Sequence, residues 1–223
     1  MSERTTSLIP KSGRKLEAGV IIASEAIAVV DVVESTLTSN LFGWYAVGRG
    51  LMRELRRTVQ VIGTNHNLLC MKSTGDGYLL AYGNDKSAEL SAIHAIDASL
   101  ELIRLLRRYN GKRTTAEERR IGVRIAVHFG QVDVVENARE GPHVAYAFRL
   151  EAINRESMHE AIDALSPDQL PLRDYILCSE PVADILKRRG HHSNSKRLGL
   201  FRLKGFQDWH EVFLLCEDGN DNT

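Results

Sequence analysis

The sequence predicts an α+β domain, a mostly antiparallel sheet with helices packed on one side of it. Three observations carry this. Short runs rich in β-branched residues alternate with longer segments of helical periodicity, in the order β-α-β-β-α-β-β-α-β-α-β-β. Neighbouring strand runs are separated by glycine-containing turns, such as Thr74-Gly75-Asp76-Gly77 and Lys204-Gly205-Phe206, so they pair as hairpins. No Pro/Gly/Ser-rich linker and no repeat interrupts the chain, so one domain over 15–216 is expected, with a flexible arm over 1–14 and a polar tail over 217–223.

Residues 26–33 are apolar and β-branched and read as the first strand. Leu37, Leu41, Trp44, Leu51, Leu55 and Val59 recur near helical spacing, predicting a long helix over 36–61. Residues 67–71 and 78–82 form a hairpin around Asp76. Residues 86–109 are an amphipathic helix, with Ala88, Ala92, Ala95, Ile96, Leu100, Ile103 and Leu106 along one side. A charged loop over 110–120 follows. Residues 123–129 and 131–135 read as a second hairpin pivoting at Gly130. Residues 143–153 are helical, with the pattern continuing to about 164, and 166–174, with two prolines, form a connection. A strand over 175–178 leads to a helix over 180–189, where Ser179 suits the N-cap. Strands over 198–203 and 209–215 close the sheet around the Lys204-Gly205-Phe206 turn.

The composition excludes several function classes. The 223 residues are 43% hydrophobic and 26% charged, ordinary for a globular protein. Lysine plus arginine equals aspartate plus glutamate at 29 each, so no global basic charge points to nucleic acid and no polybasic segment points to a membrane. The apolar stretch around 18–33 is broken by Ser24, Glu25 and Asp31, too soon for a membrane span, and residues 1–14 hold no apolar signal-peptide core. Cys70, Cys178 and Cys216 form no C-x-x-C pair and read as buried reduced thiols, and with neither signal peptide nor membrane span a cytoplasmic location is the default expectation. The His191-His192 pair, beside Ser193-Asn194-Ser195, reads as an exposed loop rather than a metal site.

The chemistry concentrates in two aspartates. Asp31 ends the run Ala28-Val29-Val30-Asp31, and Asp76 sits in the turn of the next hairpin. A carboxylate at a strand end and another on a neighbouring turn can meet at one sheet edge. There they suit Mg²⁺, a hard ion that takes oxygen ligands and pairs one or two carboxylates with substrate phosphates. Nucleotide chemistry is the expectation. Singly, each residue has an ordinary reading: Asp31 and Asp76 as turn residues, Arg149 as a surface helix arginine, Lys204 and Lys72 as solvated lysines.

Five segments in order resemble the class III nucleotidyl cyclase catalytic domain, over about residues 26–215. Asp31-Val32-Val33-Glu34-Ser35-Thr36 resembles its first metal motif, and Lys72-Ser73-Thr74-Gly75-Asp76 its second. Val123-Arg124-Ile125-Ala126-Val127-His128-Phe129-Gly130 resembles the central hairpin, Arg149-Leu150-Glu151 the arginine helix, and Leu203-Lys204-Gly205-Phe206 the closing turn. The resemblance implies a ferredoxin-like sandwich and a reaction in which the ribose 3′-hydroxyl attacks the α-phosphorus and pyrophosphate leaves. It implies a head-to-tail homodimer whose sites form between chains. Asp31, Asp76 and the Val32 carbonyl would hold two Mg²⁺ or Mn²⁺ ions. Ser35 and Thr36 enter a helix whose free N–H groups favour phosphate. Arg149 and Lys204, from the other chain, would hold the reacting phosphates, and Lys72 would read the base.

The sequence departs from the purine enzymes of that family. Ala145 stands at the position of the ribose-orienting Asn, and Ala138 at about the position of the base-reading Asp. Trp44, Tyr45, His143, Tyr146 and Phe148 are candidates to enclose or stack on a smaller base, with Tyr45 favoured as a substrate contact; core packing is the alternative for each aromatic and the preferred one for Phe148 and Trp44. A stand-alone domain without purine readers also resembles the pyrimidine cyclases of the Pycsar anti-phage systems. That implies UTP or CTP as substrate and a cyclic nucleotide read by a separate effector. Two alternatives stay open: an adenylate or guanylate cyclase with an atypical base pocket, and an inactive nucleotide-binding or dimerisation module.

Overall fold

The structure, a computed structural model, describes residues 14–15, 21–33, 49–112 and 121–216. Nine strands among these residues form one sheet: β1 (Arg14–Lys15), β2 (Ile21–Val32), β3 (Leu68–Ser73), β4 (Gly77–Tyr82), β5 (Val123–Val135), β6 (Ala138–Glu140), β7 (Tyr175–Ser179), β8 (Asn194–Arg202) and β9 (Trp209–Cys216). The order across the sheet is β3-β4-β2-β5-β7-β9-β8, with β1 beside β2 and β6 beside β5. The β5–β7 pair is parallel and the other described pairs are antiparallel. Four helices pack on the sheet: α1 (Arg49–Asn65), α2 (Ala88–Gly111), α3 (Pro142–Glu151) and α4 (Glu180–Arg188). The arrangement is α+β, as the sequence predicts.

The helices occupy both faces, not one. Along β2, Ala26, Ala28 and Val30 join the core that contains Ala92, Ala95 and Ile96 of α2, while Ile27 and Val29 pack with Val144 and Ala147 of α3. A strand covered on both faces has no polar side to show, which is why residues 26–30 read as a continuous apolar run rather than an alternation. The order of elements along the chain does not say which face a helix covers. The α3 face is a short helix over a second core that includes Leu177, Leu198, Phe201 and Val212.

Several elements differ from expectation for identifiable reasons. Residues 123–135 are one unbroken strand, with no hairpin at Gly130. Gly130 instead pairs with Glu25 of β2, and the His143 ring lies where its side chain would be. The glycine marks a close approach, not a turn. The hairpin comes later, between Val135 and Ala138. The helix starting near 143 ends at Glu151, and only a short 3₁₀ turn, Ser157–Glu160, follows. Ser179 does stand at the N-cap of α4, but its hydroxyl makes no capping bond; it is bonded to His128 Nδ1 at 2.8 Å. Cys70 and Cys178 are free and buried. Among the described residues no helix is long and apolar enough to cross a membrane. The expected arm, the tail and the first part of the long helix over 36–61 lie outside the described residues.

Candidate active site

Strand register brings the two aspartates together. Asp31, next to last in β2, stands opposite Gly77, the first residue of β4, so Asp76 in the preceding turn lies beside it. The turn is closed by Thr74 N–H donating to Gly77 O at 3.1 Å. The Asp31 and Asp76 side chains are within hydrogen-bonding contact. On its other side Asp31 stands opposite Arg124, whose Nη2 is 3.0 Å from Asp31 Oδ2. Arg124 Nε pairs in turn with Glu151 at the end of α3. Tyr175, opposite Arg124 on β7, completes a row across three strands. It is hydrogen-bonded to Arg124 and donates to Ile153 O at 3.5 Å.

The electrostatics of this row are unbalanced. Burial and the neighbouring Asp76 charge raise the Asp31 pKa, against the lowering effect of Arg124. Burial also raises that of Glu151, with the Asp31 and Asp76 charges adding to it. Two carboxylates, Asp31 and Glu151, thus share one guanidinium, and a third, Asp76, crowds Asp31. A cation would relieve their repulsion, and an all-oxygen donor set fits a hard divalent ion such as Mg²⁺ or Mn²⁺.

Arg149 and Lys204 lie elsewhere. Both line a second cleft of about 260 Å³, with Ala152, Ile153, Phe201 and Leu203 between them. The end of β8, which leads to Lys204, is four strand steps from β2, roughly 19 Å across a sheet at about 4.8 Å per strand. Arg149 and Glu151 are two residues apart on α3, so at 3.6 residues per turn they point about 200° apart. Glu151 turns inward to Arg124, and Arg149 is exposed. One chain therefore presents a carboxylate cluster and, apart from it, a cleft lined by Arg149 and Lys204.

The remaining candidates divide. Lys72 is exposed at the end of β3, on the strand that leads into the Asp76 turn. Val32 is buried at the end of β2. Ala145 is exposed one turn before Arg149, on the same side of α3. Ala138 is half-buried on β6, next to Arg139, which is buried and bidentate to Glu25 at 2.6 and 3.0 Å. Tyr146 is no base-stacking group: it is buried, its ring 4.1 Å from that of His128, and its hydroxyl is raised to about 12 by burial. Phe148 packs against the core and His143 bonds to His128 at 2.8 Å. Ser35, Thr36, Trp44 and Tyr45 lie outside the described residues. Arg124, Glu151 and Tyr175 are site residues that the motifs alone do not reveal. The available signal is register: Arg124 lies within a strand that pairs with the strand ending in Asp31.

The fold has counterparts among solved proteins. The chain is similar to the adenylyl cyclase CyaB from P. aeruginosa, at 15% identity over 92% of this chain and 99% of that one, with a TM-score of 0.71. The fold is that of the class III nucleotidyl cyclase catalytic domain. The guanylate cyclase domain of RhGC from Catenaria anguillulae, solved in complex with GTP, matches at 17% identity over 87% and 96% of the two chains, TM-score 0.65. The adenylate/guanylate cyclase/hydrolase from Silicibacter pomeroyi matches at 19% identity over 89% and 99%, TM-score 0.62. No family model and no curated protein matches the sequence. At these identities the cyclase fold is shared, and function rests on the residues themselves.

Proposed function

We propose that the protein is a metal-dependent class III nucleotidyl cyclase acting as a head-to-tail homodimer with two composite sites. The observation that carries this is the meeting of the Asp31 and Asp76 carboxylates at one sheet edge, beside Arg124 and Glu151. In each site one chain supplies Asp31, Asp76 and the Val32 carbonyl to hold two Mg²⁺ or Mn²⁺ ions. Bound there, the ions would favour loss of the 3′-hydroxyl proton and offset the triphosphate charge. Arg149 and Lys204 of the second chain would stabilise charge on the α-phosphate and hold the terminal phosphates. Their separation from Asp31 within a chain supports this division. The new bond joins O3′ to the α-phosphorus, the bond to the bridging oxygen breaks, pyrophosphate leaves and the 3′-proton passes to solvent. Ser35 and Thr36 would approach the phosphates, and Lys72 and Tyr45 the base.

For the base, the reading is a pyrimidine, UTP ahead of CTP. Ala145, exposed on the Arg149 side of α3, offers no hydrogen bond to a ribose, and Ala138 none to a purine edge. The product would be a cytoplasmic second messenger read by a separate effector, in keeping with anti-phage defence. ATP or GTP is the second reading, favoured by the retained Lys72. The test is incubation with each of the four nucleoside triphosphates and Mn²⁺, reading pyrophosphate and cyclic product. Cyclic UMP or CMP supports the first reading and cyclic AMP or GMP the second. Asp76→Asn should abolish turnover with the circular dichroism unchanged. No product from any triphosphate would leave an inactive binding module.

A further inference from the structure

Four of the eight histidines gather around one helix, away from the carboxylate row. His94 is on α2, His66 follows α1, and His191 and His192 follow α4. Their partners are on α2 as well: Asp97 and, one turn on, Glu101, which holds His66 Nε2 at 2.8 Å. Within this group Asp97, His191 and His192 place one ligand atom each within 4.8 Å of one another.

The loop that carries the two histidines is held in place. The backbone N–H of Gly190 donates to Lys187 O at 3.2 Å and that of His191 to Leu186 O at 3.0 Å, the paired bonds of a Schellman motif, with Gly190 in the left-handed region at φ +61°. That turn sends the chain back over α2. Arg188 and Arg189 reinforce the same junction by pairing with Glu89, each at 2.8 Å. The expectation of an exposed loop holds for His192 but not for His191, whose side chain is only 6% exposed. His191 Nε2 is 3.0 Å from Asp97 Oδ1, and its Nδ1 is 2.7 Å from the buried Ser193 Oγ. The His192 ring stacks on it with centroids 4.3 Å apart.

We propose that Asp97, His191 and His192 form a site for a borderline divalent metal, Zn²⁺, that clips α2 to the junction between α4 and β8. Two imidazoles and a carboxylate are a zinc-type donor set, and Mg²⁺ does not compete well for imidazole nitrogen. Zinc bonds of about 2.0–2.2 Å put tetrahedral ligand atoms roughly 3.3–3.5 Å apart, so His191 and Asp97 are already near their places and the exposed His192 ring closes the rest. Ser193 holds the far side of the His191 ring, its Oγ 2.7 Å from Nδ1 and its backbone N–H donating to Nδ1 at 3.2 Å, and so fixes the ring with Nε2 toward Asp97. A water takes the fourth position. His94 stays out of the set, because its Nε2 receives the Asn67 and Asn84 side-chain amides at 3.2 and 3.0 Å. The site joins helix α2 to the loop held behind α4, and its ligands share no residue with the carboxylate row.

The test uses the full chain carrying Asp76→Asn, so that the catalytic carboxylates do not compete for the titrant. Calorimetric titration with ZnCl₂ in excess Mg²⁺ should show one Zn²⁺ per chain and a raised Tm. Adding His192→Ala, an exposed position that leaves the fold alone, should weaken Zn²⁺ binding at least tenfold and remove the Tm increase. Asp97→Asn should weaken it as well, and Co²⁺ in place of Zn²⁺ should give visible absorption bands that His192→Ala removes. No Zn²⁺ binding in the Asp76→Asn chain, or binding that His192→Ala leaves unchanged, overturns the site and leaves the His191–Asp97 contact as an ordinary ion pair. Neither result bears on the cyclase reading, which Asp31 and Asp76 carry.

Discussion

Mild acid should destabilise this protein through His128 before most carboxylates titrate. His128 is 4% exposed, lies under the Tyr146 ring, and is bonded through both nitrogens, to Ser179 Oγ and to His143 Nδ1. Burial, with the His143 and His210 charges adding to it, pushes its pKa down to about 3. In the unfolded chain the ring titrates at the ordinary value of about 6.5. Between these values the unfolded state binds a proton that the folded state refuses, so stability is complete above about pH 6.5 and is lost as the pH falls toward about 3. At about 1.4 kcal/mol per pH unit, the loss reaches about 2 kcal/mol by pH 5 and approaches about 5 kcal/mol near pH 3. Against a typical total of about 5–15 kcal/mol, that is a large fraction. Urea unfolding at about pH 7.5, 6 and 5 will measure it. The wild type should lose about 2 kcal/mol across this range, and His128→Gln, though less stable throughout, should lose clearly less. A wild-type midpoint that does not move, an equal slope in the variant, or an NMR titration of the His128 ring near pH 6.5 would refute the reasoning.

Other outcomes follow from the same structure. Glu25→Gln leaves the Arg139 guanidinium buried without its counter-charge and should cost about 3–5 kcal/mol in urea, whereas the double variant Glu25→Leu with Arg139→Met should recover most of that. Gly130→Ala drives a methyl into the His143 ring and should cost about 1–3 kcal/mol, reduced when His143→Ala is added; equal effects in both backgrounds would argue against the contact. Mixing Asp76→Asn chains with Arg149→Ala chains, each inactive alone, should restore about a quarter of wild-type turnover, since half the dimers are mixed and each has one intact site. No recovery, with mixed dimers demonstrated, would count against sites shared between chains.

The parts legible in the sequence are those that local pattern determines. The Gly75-Asp76-Gly77 turn, the apolar run into Asp31 and the long amphipathic α2 are each set by neighbours in the chain, and each stands where the pattern puts it. What is not legible depends on register and face. Gly130 has the composition of a turn, and only the His143 ring lying over it explains a glycine inside a strand. Ser179 has the position and residue type of an N-cap, but the imidazole across the sheet takes its hydroxyl. Arg124 looks like any strand arginine until β5 pairs with β2 and sets it against Asp31. Tyr146 sits among the residues nearest Arg149 in sequence, but its position on α3 turns it into the core.

The two-sided end of α3 has a consequence for how such a dimer would respond to substrate. Glu151 ties this helix to the chain's own carboxylate row through Arg124, while Arg149, about half a turn away, faces outward. In a symmetric pair each α3 would therefore touch both catalytic centres at once. If cations at one centre competed with Arg124 for Asp31, the Arg124–Glu151 contact would change, and any shift of α3 would carry Arg149 at the other centre with it. Filling one centre would then alter the affinity of its twin, and the coupling must run equally in both directions. The saturation curve of such an enzyme would depart from a simple hyperbola, and Glu151→Gln, by loosening the link between the centres, would bring it back toward one.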